Sequence, residues 1–342
     1  MQRRPLGRTG MQVSPLCLGA MMFGAGGEPD HDESVRIIHA ALDGGVNFID
    51  TADVYSAGES EEIVGKALAG GRRDDVILAT KFHASMGEDA NERGNSRRWI
   101  VREVDNSLRR LQTDWIDLYQ VHRPDRDTDV EETLSALTDL QRAGKIHAFG
   151  CSTFPAESIV EAHWTSKQRS LARFATEQPP YSILVRSVER DVLPVAERYG
   201  MGVIPWSPLA GGWLTGRYRQ NQEAPQSSRA QRIPAVYDLS LPGNQAKLEA
   251  AEQLAQLAEE AGLTMVHLAL AFVLAHPAVT APIIGPRTME QLETQLGAAD
   301  VSLSTDVLDR IDEIVPPGTT LAELDRGYVP PWIADAALRR RR

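Results

Sequence analysis

Apolar residues fall along the chain in short blocks, and each block is followed, after a polar stretch, by a longer segment with apolar positions three and four residues apart. The blocks at 16–20, 46–50, 76–81, 116–122, 146–151, 174–178, 202–206 and 281–285 predict strands. The segments 32–43, 59–69, 96–111, 130–143, 155–164, 188–199, 244–261 and 289–296 predict helices, with a further helix over 264–275 ahead of the last strand. Local punctuation agrees. Gly44 and Gly45 close the first helix, while Glu59, Glu61 and Glu62 crowd the first turn of the second. Before the first block, residues 3–13 carry Gly7, Thr9 and Gly10 and read as a hairpin.

Strands alternating with helices of this length predict a parallel sheet with right-handed crossovers, an α/β protein. A (β/α)8 TIM barrel is favoured over an open doubly wound sheet, because polar, chemically capable residues follow most of the strands instead of gathering at one switch point. Gly24, Gly26 and Gly27 are separated from the next helix by Glu28, Pro29 and Asp30, so they read as a flexible loop and not as a dinucleotide fingerprint. No Pro/Gly/Ser-rich linker divides the chain. Residues 1–342 are therefore expected to form a single barrel domain, with 316–342 as a C-terminal extension that ends in the basic run Arg339 to Arg342.

Composition narrows the partners. With 42% hydrophobic and 24% charged residues the chain is globular, and a net charge of -11 argues against nucleic acid, whose phosphates need clustered lysine and arginine. No uncharged run approaches the roughly 20 residues of a membrane span and the N-terminus has no apolar signal core, so a cytoplasmic protein with no membrane partner is expected. The terminal arginines read as a solvated tail. Cys17 and Cys151 lie in apolar blocks and read as small buried hydrophobes, not as a disulfide. His39, His147, His163, His267 and His276 lack ligand spacing, so no metal site is expected.

Candidate chemistry sits where strands end. Asp50 closes one apolar block, Lys81 another and His122 a third, with Tyr55 in the loop after Asp50. An acid at the end of an apolar strand needs a cationic partner, because an unpaired buried carboxylate costs several kcal/mol. A barrel brings all these strand ends to one face.

The stretches LCLGAMMFG, NFIDTADVYSAGESEEIVGKAL, ILATKF, DLYQVHRPD, KIHAFGCSTF, TEQPPYSIL, VIPWSPLAGGWLTGRY and APIIGPRTMEQLETQLGA, in this order, resemble the aldo-keto reductase family from about Arg4 to about Val315. The closest likeness is to the branch holding bacterial stress-type reductases and voltage-gated potassium channel β-subunits. The resemblance implies an NADP(H)-dependent oxidoreductase that reduces a small-molecule aldehyde or ketone to an alcohol, with Asp50, Tyr55, Lys81 and His122 as the catalytic set. Elementary chemistry agrees: hydride addition puts charge on the carbonyl oxygen, and a positioned acid lowers that barrier. A free phenol has a pKa of about 10, so Lys81 beside Tyr55 would make it a better acid, and Asp50 would keep the lysine charged and fixed. His122 would orient the carbonyl.

For the cofactor the resemblance implies Gly19, then Ser152 and Gln178 at the nicotinamide carboxamide, with Thr153 where an asparagine is commoner. Trp206 would stack on the nicotinamide ring. Ser207, Pro208, Leu209 and Gly211 would form the pyrophosphate loop, and the polar run 213–243 would cover it. Gly285 and Arg287 would receive the 2′-phosphate, which favours NADP over NAD, while Gln291 and Gln295 would meet the adenine. Met22, Phe23, Tyr55 and His122 are the substrate candidates, joined by Trp332; His83 reads as solvated. A homo-oligomer is left open. The competing expectation is a redox-sensing nucleotide-binding regulatory subunit with slow turnover. A metal-dependent barrel hydrolase is disfavoured, since one histidine and one strong aspartate at strand ends are too few ligands.

Overall fold

The computed structural model describes residues 1–220, 222, 228–330, 333 and 335–340. Trp332 and the last two arginines of the basic tail lie outside this set. The hairpin forms as β1 (Arg4–Pro5) and β2 (Gln12–Val13), antiparallel, with Arg4 opposite Val13. The main sheet is parallel and consists of β3 (Cys17–Gly19), β4 (Phe48–Asp50), β5 (Ile77–Phe82), β6 (Ile116–Val121), β7 (Ile146–Ser152), β8 (Thr176–Gln178), β9 (Gly202–Val203) and β10 (Ile283–Ile284). Strands β3 to β9 lie side by side in chain order and β10 flanks β3. The seam between β9 and β10 is joined by a bridge between Val203 and Val279 and by the Ile283 amide, which donates to Pro205 at 2.8 Å. The sheet thus curls into the (β/α)8 arrangement.

Period-two alternation explains both faces of the barrel. Leu18, Ile49, Leu78, Tyr119, Phe149 and Cys151 point outward into the large core under the helices. Cys17, Phe48, Ala79, Leu118, Ala148, Ile204 and Ala281 point inward, one from each of seven sheet positions, and pack with Leu6 and Val13 of the hairpin. The hairpin therefore plugs the amino-terminal end of the barrel. Two residues further along β4, β5 and β6 the inward positions turn polar, at Asp50, Lys81 and Gln120, and β7 and β8 end in the polar Ser152 and Gln178. Register aligns Lys81 with Gln120 and Ser152 with Gln178, so this polar layer is one storey above the apolar one.

The helices are α1 (His31–Asp43), α2 (Glu59–Leu68), α3 (Arg97–Leu111), α4 (Val130–Arg142), α5 (Ala156–Arg169), α6 (Val192–Tyr199), α7 (Ser228–Arg232), α8 (Pro242–Glu260), α9 (Met265–Ala275), α10 (Met289–Gly297) and α11 (Thr305–Ile314), with the short α7 in the run after β9 and outside the ring that surrounds the sheet. Three expectations change. The block 202–206 holds only β9, because Pro205 has no N–H for a ladder. Residues 24–28 are not a loose loop but a turn tied by Gly24 N–H to Glu28 O and Glu28 N–H to Met22 O, both 2.8 Å. The predicted helix 188–199 begins as a separate turn, Ser187–Glu189, and α6 starts only after Asp191 caps it.

Helix α11 was not expected, although Ser304 caps it on the Val307 amide. Beyond it the chain turns back over the open end of the barrel. Arg186 N–H donates to Thr319 O at 2.6 Å, Leu321 N–H to Leu184 O at 3.2 Å, and the buried Lys247 of α8 pairs with Asp325 at 2.8 Å. Among the described residues no single helix is long and apolar enough to cross a membrane.

Candidate functional site

The polar layer is built around Lys81. Its side chain is fully buried and its ammonium donates to Asp50 Oδ2 at 2.6 Å, to the Thr51 carbonyl at 2.8 Å and to the Tyr55 hydroxyl at 3.2 Å. Three protons have three acceptors. Burial works against the charge, but Asp50 and Tyr55 outweigh it, so Lys81 stays above its ordinary pKa and remains a cation. Asp50 also accepts from Gln120 Nε2 at 3.1 Å and Gln178 Nε2 at 2.8 Å through its other oxygen. Tyr55 reaches this point because the chain leaves β4 through a tight turn in which Ser56 and Ala57 are left-handed, and the α2 helix starts at once.

His122 meets Tyr55 edge to face, with ring centroids 5.8 Å apart. Its Nδ1 is sealed from solvent and has no partner. Burial first, then the charges of Lys81 and Arg123, hold its pKa well below the usual histidine value, so the ring is neutral at neutral pH. The four strand-end candidates are thus brought together at one rim.

Asp50, Tyr55 and His122 open onto a cavity of about 970 Å³, with Lys81 buried behind them. Gly19, Ser152, Gln178, Trp206, Ser207, Pro208, Leu209, Gly211, Gly285, Arg287, Gln291 and Gln295, the residues expected at the cofactor, all line it, as do Met22, Tyr55 and His122. Phe23 does not. It is fully buried in the core under the helices, so it is not a wall of the cavity, and the substrate expectation for it is corrected. Its backbone carbonyl accepts from Ser56 Oγ at 3.3 Å instead. His83 is half-buried, not freely solvated, with Nδ1 2.9 Å from Asn95 Oδ1.

Individual partners refine the picture. Gln178 and Ser152 are almost fully buried; Ser152 Oγ donates to the Gln178 carbonyl at 2.9 Å. Thr153, with φ of 60°, accepts from Trp206 Nε1 at 3.4 Å and from Arg123 Nη1 at 3.2 Å. Ser207, Ala210, Gly211 and Gly212 all have positive φ, which bends the backbone after β9 into a concave turn. Gln291 accepts from the Arg287 amide at 2.9 Å, and Gln295 Oε1 is buried without a partner.

Sequence reasoning passed over several lining residues. Arg123, Arg217 and Arg232 join Arg287, so four guanidinium groups face a cavity in a chain of net charge -11. Their common signal is position: Arg123 follows a strand end, and the other two lie in the long run after β9. Within that run Tyr237 OH donates to Gly211 O at 2.8 Å and Arg232 Nη1 to Gly26 O at 3.4 Å, so it bridges from the glycine turn to the loop after β3. Glu177, just outside the layer, is fully buried with Oε2 unpartnered, and burial pushes its pKa up to about 8.

A parallel barrel with a polar, cavity-lined carboxyl end and an Asp-Lys-Tyr-His rim defines a barrel oxidoreductase. The chain belongs to the aldo/keto reductase family, whose family model matches residues 15–316. Members of this family use NAD(P)H and act on small-molecule carbonyl compounds. An uncharacterized oxidoreductase, YrpG, of Bacillus subtilis is 40% identical over 92% of this chain and 96% of its own length. A probable voltage-gated potassium channel subunit beta of Oryza sativa subsp. japonica is 36% identical over 92% of this chain and 97% of its own. Norsolorinic acid reductase of Aspergillus flavus is 33% identical over 90% and 79%.

Proposed function

We propose that the chain is an NADPH-dependent reductase of aldehydes and ketones in which Tyr55 is the proton donor. The observation that carries this reading is the Tyr55 hydroxyl 3.2 Å from a buried, triply bonded lysine ammonium at the rim of the cavity.

The cavity suits the cofactor. The orphaned Gln295 oxygen needs a donor, which an adenine amino group provides, and the half-buried Trp206 ring offers a stacking face. The concave turn at 207–212 presents backbone amides for the pyrophosphate, with Arg217 Nη2 3.8 Å from where a Cβ on Gly212 would stand. Arg287, beside the start of α10, suits the 2′-phosphate. When bound, NADPH supplies a hydride to the carbonyl carbon.

The protein's own groups do the rest. As charge builds on the carbonyl oxygen, Tyr55 gives up its hydroxyl proton, and the Lys81 ammonium stabilises the phenolate that remains. Asp50 holds the ammonium in place. His122, neutral, donates to the same oxygen and fixes its angle. Residues 230–243, tied to Gly211 and Gly26, keep water from the reacting atoms.

A second reading, a nucleotide-binding regulatory subunit with slow turnover, draws on the likeness to the rice potassium channel subunit beta. The two separate on one assay, oxidation of excess NADPH with 4-nitrobenzaldehyde. Sustained turnover of about 1 s⁻¹ or more, the ordinary enzyme range, supports the reductase. A single burst equal to the protein concentration supports the regulatory subunit.

A further inference from the structure

We propose that Arg123 selects carbonyl substrates that carry a carboxylate or another anionic group close to the carbonyl. This rests on the reading of the cavity as a carbonyl-reduction site.

Arg123 follows His122 directly and lines the same cavity as Tyr55. Its Nη1 donates to the His122 carbonyl at 2.6 Å and to Thr153 Oγ1 at 3.2 Å, which pins the head group at the His122 end of the cavity. Thr153 in turn accepts from Trp206, so the guanidinium is part of the cavity wall and not a swinging surface chain. A guanidinium has five N–H donors in a flat fork, and the two bonds seen engage only one of its nitrogens.

No ion pair between Arg123 and a carboxylate occurs among the described residues. The acid that most affects it after Tyr55 is Glu177, and burial keeps that carboxyl largely neutral at pH 7. Burial also lowers the Arg123 pKa, with Tyr55 and Glu177 offsetting it only in part. An incoming anion supplies what is missing, and a bidentate guanidinium-carboxylate contact is among the stronger polar interactions. The other three arginines of the lining stand elsewhere: Arg217 is by the glycine turn and Arg287 by α10, where the cofactor phosphates are assigned, and Arg232 donates to the Gly26 carbonyl in the loop after β3. With a net charge of -11, long-range attraction does not favour anions, so the preference must come from this contact.

The test compares two substrates matched in shape, 4-carboxybenzaldehyde and methyl 4-formylbenzoate, and a shorter pair, succinic semialdehyde and its methyl ester. The parent is expected to favour the acid over the ester in kcat/KM by about tenfold or more in at least one pair, as for a hydrogen bond to a charged group. In Arg123→Gln the ratio falls to near one, with the loss in KM for the acid, and Arg123→Lys keeps part of it. Equal handling of acid and ester by the parent overturns the proposal, as does a ratio that survives in Arg123→Gln. A matching rise in the NADPH dissociation constant of Arg123→Gln overturns it in favour of a cofactor contact through Thr153. If the Gln variant does not fold, the parent ratio and the Lys variant decide. Failure of the reductase reading itself is distinct: the parent would then turn over neither member of either pair.

Discussion

Lys81 shows how one residue can fix a site. All three of its protons are placed, and its carboxylate partner is itself held by two glutamine amides. Removing the ammonium leaves Asp50 buried and uncompensated, so Lys81→Met is expected to cost about 3–5 kcal/mol of stability in urea unfolding. Loss under about 1 kcal/mol would show that the pair is not held as described. Glu177 gives a pH signature. Its folded pKa, about 8, lies above the unfolded carboxyl value, so it binds a proton in the folded state across that interval. Its contribution is present below about pH 4.5 and lost as pH rises through about 8. Glu177→Gln should therefore flatten the decline of the urea midpoint between about pH 5 and 8; an unchanged slope would contradict the buried, protonated acid. At this scale the sequence was legible where strand ends carried unlike chemistry, as at Asp50, Lys81 and His122. It was not legible for Phe23, because neighbouring apolar residues in a loop do not reveal which one faces inward, nor for Arg123, since a polar residue after a strand looks solvated.

The elements were legible because helix and strand periods differ so plainly. All eight parallel strands fall on expected blocks, β5 and β7 each running one residue beyond theirs to Phe82 and Ser152, and the inward positions alternate from an apolar storey to a polar one. Prolines explain shortened strands such as β9, whose block contains Pro205. Long-range ties were invisible. The pairing of Lys247 with Asp325, beneath Trp213 at 4.8 Å from the ammonium to the ring, joins α8, the run after β9 and the returning C-terminal segment. No local pattern announces a contact 78 residues apart. Lys247→Met should free this roof: amides at 319–327 should exchange with deuterium about tenfold faster or more, while those of β5 and β6 keep their protection. Equal acceleration in the sheet would mean that the substitution loosens the whole fold instead.

At the scale of the whole molecule, an acidic protein gathers four arginines, among the described residues, along one cavity, a distribution that composition alone hides. Binding followed by tryptophan quenching should be tighter for NADPH than for NADH by about tenfold or more, and should weaken as salt is added. Arg287→Ala should remove most of that difference; equal affinities in the parent would contradict the assignment of the 2′-phosphate. The central claim is that a phenol, an ammonium, a carboxylate and an imidazole act as one proton-delivery unit at the barrel rim. It is tested most directly by single-turnover oxidation of NADPH with 4-nitrobenzaldehyde in the parent and in Tyr55→Phe, with nucleotide affinity measured in both. The account predicts a fall in the chemical step of at least about a hundredfold, with the NADPH dissociation constant within about twofold of the parent. A Tyr55→Phe protein that reduces the aldehyde as fast as the parent would contradict it.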